Sequence, residues 1–318
     1  MSRKGSEAAG VAGRGDGRLP LRGIAVSVGA AALVYLVMVV LADATAVIDA
    51  VLTIPGWFWP LLVMLSLLSY SARFVRWQMF LGVLGHPVPA VASALVYLAG
   101  FALTTTPGKA GETVRSLYLR RWGVGYAQSI AAFVAERLLD VVAVSVLACL
   151  VVLLFPAYQM WAAVAMAVIA MLLIVARARL SGVLLKRLPL GRLSDELGVC
   201  QGAVRRFLSG SLGVRAFVLS VVAWGCQGVS LVAIVTVLGG EVDWPVVVGV
   251  YCLSILAGAA SLIPGGLGAT EAAMALLLIG LGMDSATAAT AAILSRVATL
   301  WLAVSLGIAA MFSLAAKR

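Results

Sequence analysis

Leu256-Ala257-Gly258-Ala259-Ala260-Ser261-Leu262-Ile263-Pro264-Gly265-Gly266-Leu267-Gly268-Ala269-Thr270-Glu271 carries an apolar segment into a Pro-Gly break and out through a glycine-rich turn to a carboxylate. The same order of residues stands earlier in the chain as Leu98-Ala99-Gly100, Thr104-Thr105-Thr106-Pro107-Gly108 and Glu112. In each copy an arginine in apolar sequence lies 25 positions after the glutamate, Arg137 after Glu112 and Arg296 after Glu271. Upstream, Val83-Leu84-Gly85 is matched by Val237-Leu238-Gly239. An ordered series of matches marks an internal repeat. Pro removes a backbone donor and Gly permits the turn, so the stretches 88–106 and 244–263 read as broken segments, not as simple spans.

The medium around these breaks follows from composition. The chain has 318 residues, of which 63% are hydrophobic and 11% charged, against roughly a quarter charged in soluble domains. Mean hydropathy is +1.10. A water-exposed body this apolar would present large sticky patches, so the solvent is lipid. Disorder, a disulfide scaffold and a large extramembrane catalytic domain are excluded at the same step. A spanning helix needs about 20 apolar residues, which predicts crossings at 23–42, 56–72, 138–156, 160–176, 216–238 and 297–315.

The net charge of +10 bears first on orientation, because bases collect on the cytoplasmic side; no nucleic-acid partner is expected. With the N-terminus inside, cytoplasmic segments hold Arg73 and Arg76, Lys109, Arg115, Arg120 and Arg121, the bases of 177–215, and Lys317 with Arg318. Exterior loops hold Asp43, Asp49, Glu241, Asp243 and Asp284. All but Arg137 and Arg296 of the 23 bases fall on one side. Both flanks of 88–106 are basic, which makes that segment re-entrant. The second hairpin, 244–285, is framed by acids, and its long helix ends inside.

The two copies therefore point in opposite directions. The expected fold class is an all-α polytopic membrane protein built from two inverted-topology repeats. Each repeat has two spans, a re-entrant helical hairpin and one long helix. Residues 1–20 form a disordered cytoplasmic tail. The first repeat is 21–157, and the second is 158–318 with a cytoplasmic connector at 177–214. No cleavable signal is read, so 23–42 is a retained helix. Both termini are expected in the cytoplasm of a bacterial cell. Inverted repeats with Pro/Gly breaks at matching positions point to a transporter site near the midplane.

Charges within apolar spans are costly unless paired or hydrated, which makes Arg137 and Arg296 the first candidates for function. Arg137 has Glu136 beside it and Asp140 one turn on, so a self-neutralised ion pair is the plain alternative reading. Arg296 has Ser295 and Thr299 there instead. It needs Glu112, Glu271 or a substrate anion. Two guanidiniums offer bidentate donors to a phosphate. Pro264, Gly265, Gly266 and Gly268 precede a helix start, whose backbone donors favour an anion. Pro107 and Gly108 are their counterparts, and Lys109 and Arg115 stand nearer the cytoplasmic mouth. The single histidine, His86, reads as a loop residue. Cys149, Cys200, Cys226 and Cys252 form no metal or redox motif. No Walker sequence is present, and neither metal nor cofactor is expected.

Pro107-Gly108-Lys109-Ala110-Gly111-Glu112-Thr113-Val114-Arg115, Glu136-Arg137-Leu138-Leu139-Asp140 and Pro264-Gly265-Gly266-Leu267-Gly268-Ala269-Thr270-Glu271 resemble the transmembrane flippase-like domain of lysylphosphatidylglycerol synthases and its stand-alone relatives. The resemblance implies lipid translocation. The synthases' soluble aminoacyltransferase domain has no counterpart here, so the chain is expected to be no enzyme. The leading expectation is a flippase- or scramblase-like transporter of a phospholipid or a polyprenyl-phosphate-linked glycolipid. Its expected partners are the anionic lipid, the membrane and a lipid-synthesising enzyme. Arg137 and Arg296 would bind the phosphate, with Glu112 and Glu271 positioning them. A membrane-embedded enzyme or accessory subunit acting on polyprenyl-phosphate sugars, and a secondary transporter of a soluble anion, stay open as alternatives.

Overall fold

The computed structural model describes residues 44–86, 88–105, 112–152, 174, 192–241 and 243–316. The tail, the expected span 23–42, nearly all of the span 160–176, the tip residues Thr106, Pro107, Gly108 and Lys109, and connector residues 177–191 lie outside the described residues. All regular structure among the described residues is helical. In chain order the helices are α1 (Ala44–Leu52), α2 (Phe58–Val83), α3 (Ala90–Phe101), α4 (Arg115–Leu119), α5 (Tyr126–Val152) and α6 (Arg192–Phe207). They continue with α7 (Gly210–Val237), α8 (Trp244–Ala260), α9 (Ala269–Gly280), α10 (Ser285–Arg296) and α11 (Leu302–Ala316). α2, α7 and the continuous run Ser285–Ala316 are long and apolar enough to cross a membrane.

The polarity of α2 is inside out. Val63, Met64, Leu67, Leu68 and Val75 are exposed, whereas Ser66, Ser69, Tyr70, Arg73 and Arg76 are buried. In water this distribution would be reversed, because apolar area leaves water and charge stays in it. A helix that turns its apolar face outward and its charges inward belongs in lipid.

Several expected boundaries shift for one reason. The span expected at 56–72 continues to Val83, that at 138–156 starts at Tyr126, that at 216–238 starts at Gly210, and that at 297–315 starts at Ser285. Hydropathy reading stops a span at its first charge. Here Arg76, Glu136 and Arg296 are paired with groups on other helices, and Arg73 is held by Gln227, so the helices run on through their charges. Arg73 and Arg76 therefore belong to no cytoplasmic flank: they sit in the interior of α2.

Packing between the two halves of the chain is reciprocal. α2 lies along α7, while α5 packs on α8 and α11 packs on α3. Each repeat's long helix thus covers the other repeat's broken segment. The repeated Leu-Ala-Gly has a steric cause in both copies. A Cβ on Gly100 would stand 2.5 Å from Arg115 Nε, and one on Gly258 would collide with Thr270 Oγ1. The connector helix α6 docks on α5, and its Phe207 stacks on Phe80 of α2 at 4.5 Å between ring centres. Its Arg205 and Arg206 remain exposed.

Between α10 and α11 the residues Val297–Trp301 widen into a π-helical turn. Such a turn displaces the usual i to i−4 bonding and marks many functional sites. Two side chains of α2, one turn apart, take up its carbonyls. Ser66 Oγ donates to Ala298 O at 2.7 Å, and the Tyr70 hydroxyl donates to Thr299 O.

Candidate functional site

The second break places its charged residues. After α8, Ser261–Gly268 turns the chain through a short 3-10 element, Pro264–Gly266, in which Gly265 has φ 66°. The left-handed region is open to Gly at little cost, and Gly266 and Gly268 use it as well. The turn delivers Glu271 to the first turn of α9, where its Oε2 accepts the Gly268 N–H at 2.8 Å. Its other oxygen, Oε1, accepts from Arg296 Nε at 2.9 Å. Arg296 Nη2 donates to Gly265 O at 2.7 Å. The partner required by Arg296 is thus Glu271, supplied by its own repeat.

The first repeat builds a larger cluster. Asp140 lies between Arg76 Nη1 at 2.6 Å and Arg137 Nη2 at 3.1 Å. Arg137 Nη2 also lies 3.7 Å from Glu112 Oε2, and Glu112 pairs with Arg115. Arg115 Nη1 reaches Glu136 Oε2 at 3.0 Å, and Glu136 Oε1 returns to Arg76 Nη2 at 3.9 Å. The six groups close a ring in which positive and negative charges alternate. Thr104 donates to Glu112 at 3.0 Å, and Ser220 accepts from Arg76. The Arg115 guanidinium also lies over the Tyr97 and Trp77 rings at 4.5 and 5.2 Å.

This arrangement corrects three expectations. Arg115 is buried in the ring and stands at no cytoplasmic mouth. Glu136 pairs with Arg115 and Arg76 instead of its neighbour Arg137, because adjacent helical residues point apart. Arg137 and Arg296 are not the only bases inside the protein, since Arg73, Arg76 and Arg115 are buried as well. Two of the missed residues carried one signal. The sequence stays apolar on both sides of Arg73 and Arg76, through Trp77, Phe80 and Leu81, so a membrane boundary there was never required.

A cavity of about 230 Å³ joins the two clusters. Arg137, Glu112 and Asp140 line it from the first repeat and Arg296, Gly265 and Gly266 from the second, with Arg73, Gln227 and Tyr251 on the wall between. Its apolar lip includes Val141, Leu262 and Ile263, all exposed. Gly268 and Glu136 do not line it, and Pro264 borders it only through its neighbours Ile263 and Gly265. Lys109, Pro107 and Gly108 fall outside the described residues. Arg137 and Arg296 hold equivalent places, each being the twelfth residue of its helix (Tyr126–Val152 and Ser285–Arg296).

Residues 23–307 match the family described as lysylphosphatidylglycerol synthase TM region. The chain belongs to that family. A UPF0104 membrane protein of Pyrococcus horikoshii is 25% identical over 283 residues, covering 77% of this chain and 84% of the relative. A UPF0104 membrane protein of Methanothermobacter thermautotrophicus is 33% identical over 103 residues, covering 32% of this chain and 30% of the relative. The match therefore spans less than a third of the Methanothermobacter protein's length. Membership and the outward-facing apolar residues agree on a multi-pass helical membrane protein of the lysylphosphatidylglycerol synthase TM region family, a family named for the membrane part of a synthase.

Proposed function

We propose that this chain moves a phosphate-bearing lipid, a phospholipid or a polyprenyl-phosphate-linked glycolipid, between membrane leaflets. The observation that carries the reading is the cavity itself, with guanidiniums from both repeats in its walls and an apolar lip. A phosphate headgroup suits the former, since buried guanidiniums bind it with short, charge-assisted hydrogen bonds. Acyl or prenyl chains suit the latter and stay in the bilayer. Arg137 and Arg296 face the headgroup, while Glu112 and Glu271 hold them in position.

The chain acts as a transporter and carries out no covalent step. It is inserted in the cell membrane with both termini cytoplasmic, and it receives its lipid from a synthesising enzyme. The repeats are of opposite orientation, and rocking one against the other exposes the cavity to each leaflet in turn. The reciprocal packing of α5 on α8 and of α11 on α3 supports that motion.

The test is leaflet transfer of a fluorescent phospholipid in proteoliposomes, read by quenching with a reductant that reaches only the outer leaflet. Wild-type protein transfers the lipid, and Arg137→Ala and Arg296→Ala abolish transfer. Full transfer by both folded variants rejects this site. Covalent change of the lipid, seen by mass spectrometry, establishes the enzyme reading instead. Uptake of a soluble anion without lipid movement establishes the third.

A further inference from the structure

We infer that Arg73 is the seat of a singly charged phosphodiester and that the cavity selects against diphosphate-linked lipids. The assignment rests on the lipid-transport reading for the source of the anion; the site itself follows from charge and geometry. Five guanidiniums and four carboxylates stand in the interior among the described residues. Three of each close the ring, and Arg296 pairs with Glu271. Arg73 is left over.

Its surroundings are polar but neutral. Arg73 is 6% exposed and pairs with no carboxylate among the described residues. Its Nη2 donates to Gln227 Oε1 at 3.2 Å, an oxygen already taken by the Tyr251 hydroxyl at 2.7 Å. The guanidinium lies over Trp224, 4.3 Å from the ring centre, and its Nε makes no hydrogen bond. All four side chains line the cavity.

A guanidinium held in this way is an incomplete ion pair. Removing an unpaired charge from water costs several kcal/mol, and a neutral amide oxygen recovers only part of it. Serving solely to hold helices together, the position would be better filled by an apolar residue or given a carboxylate. An anion entering the cavity completes the pair. One negative charge balances the buried charges of the described residues. A second would be unmatched and would face Glu112 and Asp140 across the cavity, which repel it. The fitting ligand is a phosphate diester, as found in glycerophospholipids and polyprenyl-monophosphate sugars.

The experiment presents purified full-length protein in detergent with equimolar short-chain phosphatidylglycerol, farnesyl diphosphate and the water-soluble diester glycerophosphoglycerol, and reads retained ligand by native mass spectrometry. Wild type is expected to hold phosphatidylglycerol at least roughly tenfold over farnesyl diphosphate. Arg73→Gln loses that binding by a similar factor. Gln227→Glu loses it too, with the guanidinium still present, because the carboxylate completes the pair internally; this variant decides the matter if Arg73→Gln fails to fold. Arg121→Gln, on the exposed surface, binds as wild type. Equal retention of farnesyl diphosphate by wild type, or wild-type binding by folded Gln227→Glu, overturns the assignment. Equal retention of glycerophosphoglycerol supports the Arg73 site and overturns the lipid-transport reading. Binding at Arg73 without leaflet transfer does the same.

Discussion

Asp140 connects two arginines that enter the ring from different helices, and it is 4% exposed. Removing one partner of a buried pair leaves an uncompensated charge, which costs about 3–5 kcal/mol. Asp140→Asn is therefore expected to lower the unfolding temperature in detergent markedly. Joint replacement of Arg76 and Asp140 by Met and Leu, which removes both charges, is expected to cost less than the single change. Equal losses would show that packing, not charge, dominates at this position. The pairing itself could be read only in part from the sequence. Asp140 one turn after Arg137 is a local signal, and the two residues do lie 3.1 Å apart. Arg76 pairs with Asp140 across 64 positions, a contact set by the packing of helices and by nothing local. In the sequence Arg73 and Arg76 read as a membrane boundary because hydropathy treats every charge as solvated.

At the level of elements, the second broken segment was legible because Pro and Gly act on the backbone wherever they stand. The Pro264–Gly268 turn follows directly from its residues, with Gly265, Gly266 and Gly268 all at positive φ. The π-helical turn was not legible, since its carbonyls are taken up by Ser66 and Tyr70 of α2. Close packing at the breaks makes Gly258→Val disruptive: even a Cβ there meets the Thr270 hydroxyl. Loss of folded, monodisperse protein in gel filtration is the expected outcome, with partial recovery when Thr270→Gly is added. The start of α10 offers a milder test. Asp284 caps it, accepting from the Ala286 and Thr287 N–H groups at 3.0 Å each, and Asp284→Ala is expected to cost about 1 kcal/mol. The hydrogen bonds from Thr287 and Ala286 hold the Asp284 carboxyl below the usual range, which is near 3.9. A lowered pKa in the folded state means that the contribution is complete above the ordinary value and fades as pH falls through the lowered one. Unfolding profiles of wild type and Asp284→Ala should therefore differ near neutral pH and converge in strong acid.

For the molecule as a whole, the matched spacing of Glu112–Arg137 and Glu271–Arg296 is the basis for expecting a repeat, and in the structure each pair is in contact. The sequence could not show that each long helix would cover the opposite break, because that exchange is a property of assembly. The proposed orientation is testable with a cysteine-free background carrying single cysteines at exposed Arg121, Glu241 or Asp284. A membrane-impermeant maleimide applied to intact cells should label the last two and spare the first, while inverted vesicles should give the opposite pattern. Labelling of all three from one side would remove the inverted repeat. The closed ring of Arg76, Asp140, Arg137, Glu112, Arg115 and Glu136 also has an electrical consequence. A charge carried through a membrane potential gains or loses about 2.3 kcal/mol per 100 mV, so unbalanced arginines on moving helices would couple their motion to voltage. The ring's six charges sum to zero. Moving the ring as a unit therefore does almost no work against the field, and the voltage dependence of α2 falls to Arg73, which shares that helix with Arg76 and stays unbalanced until an anion joins it.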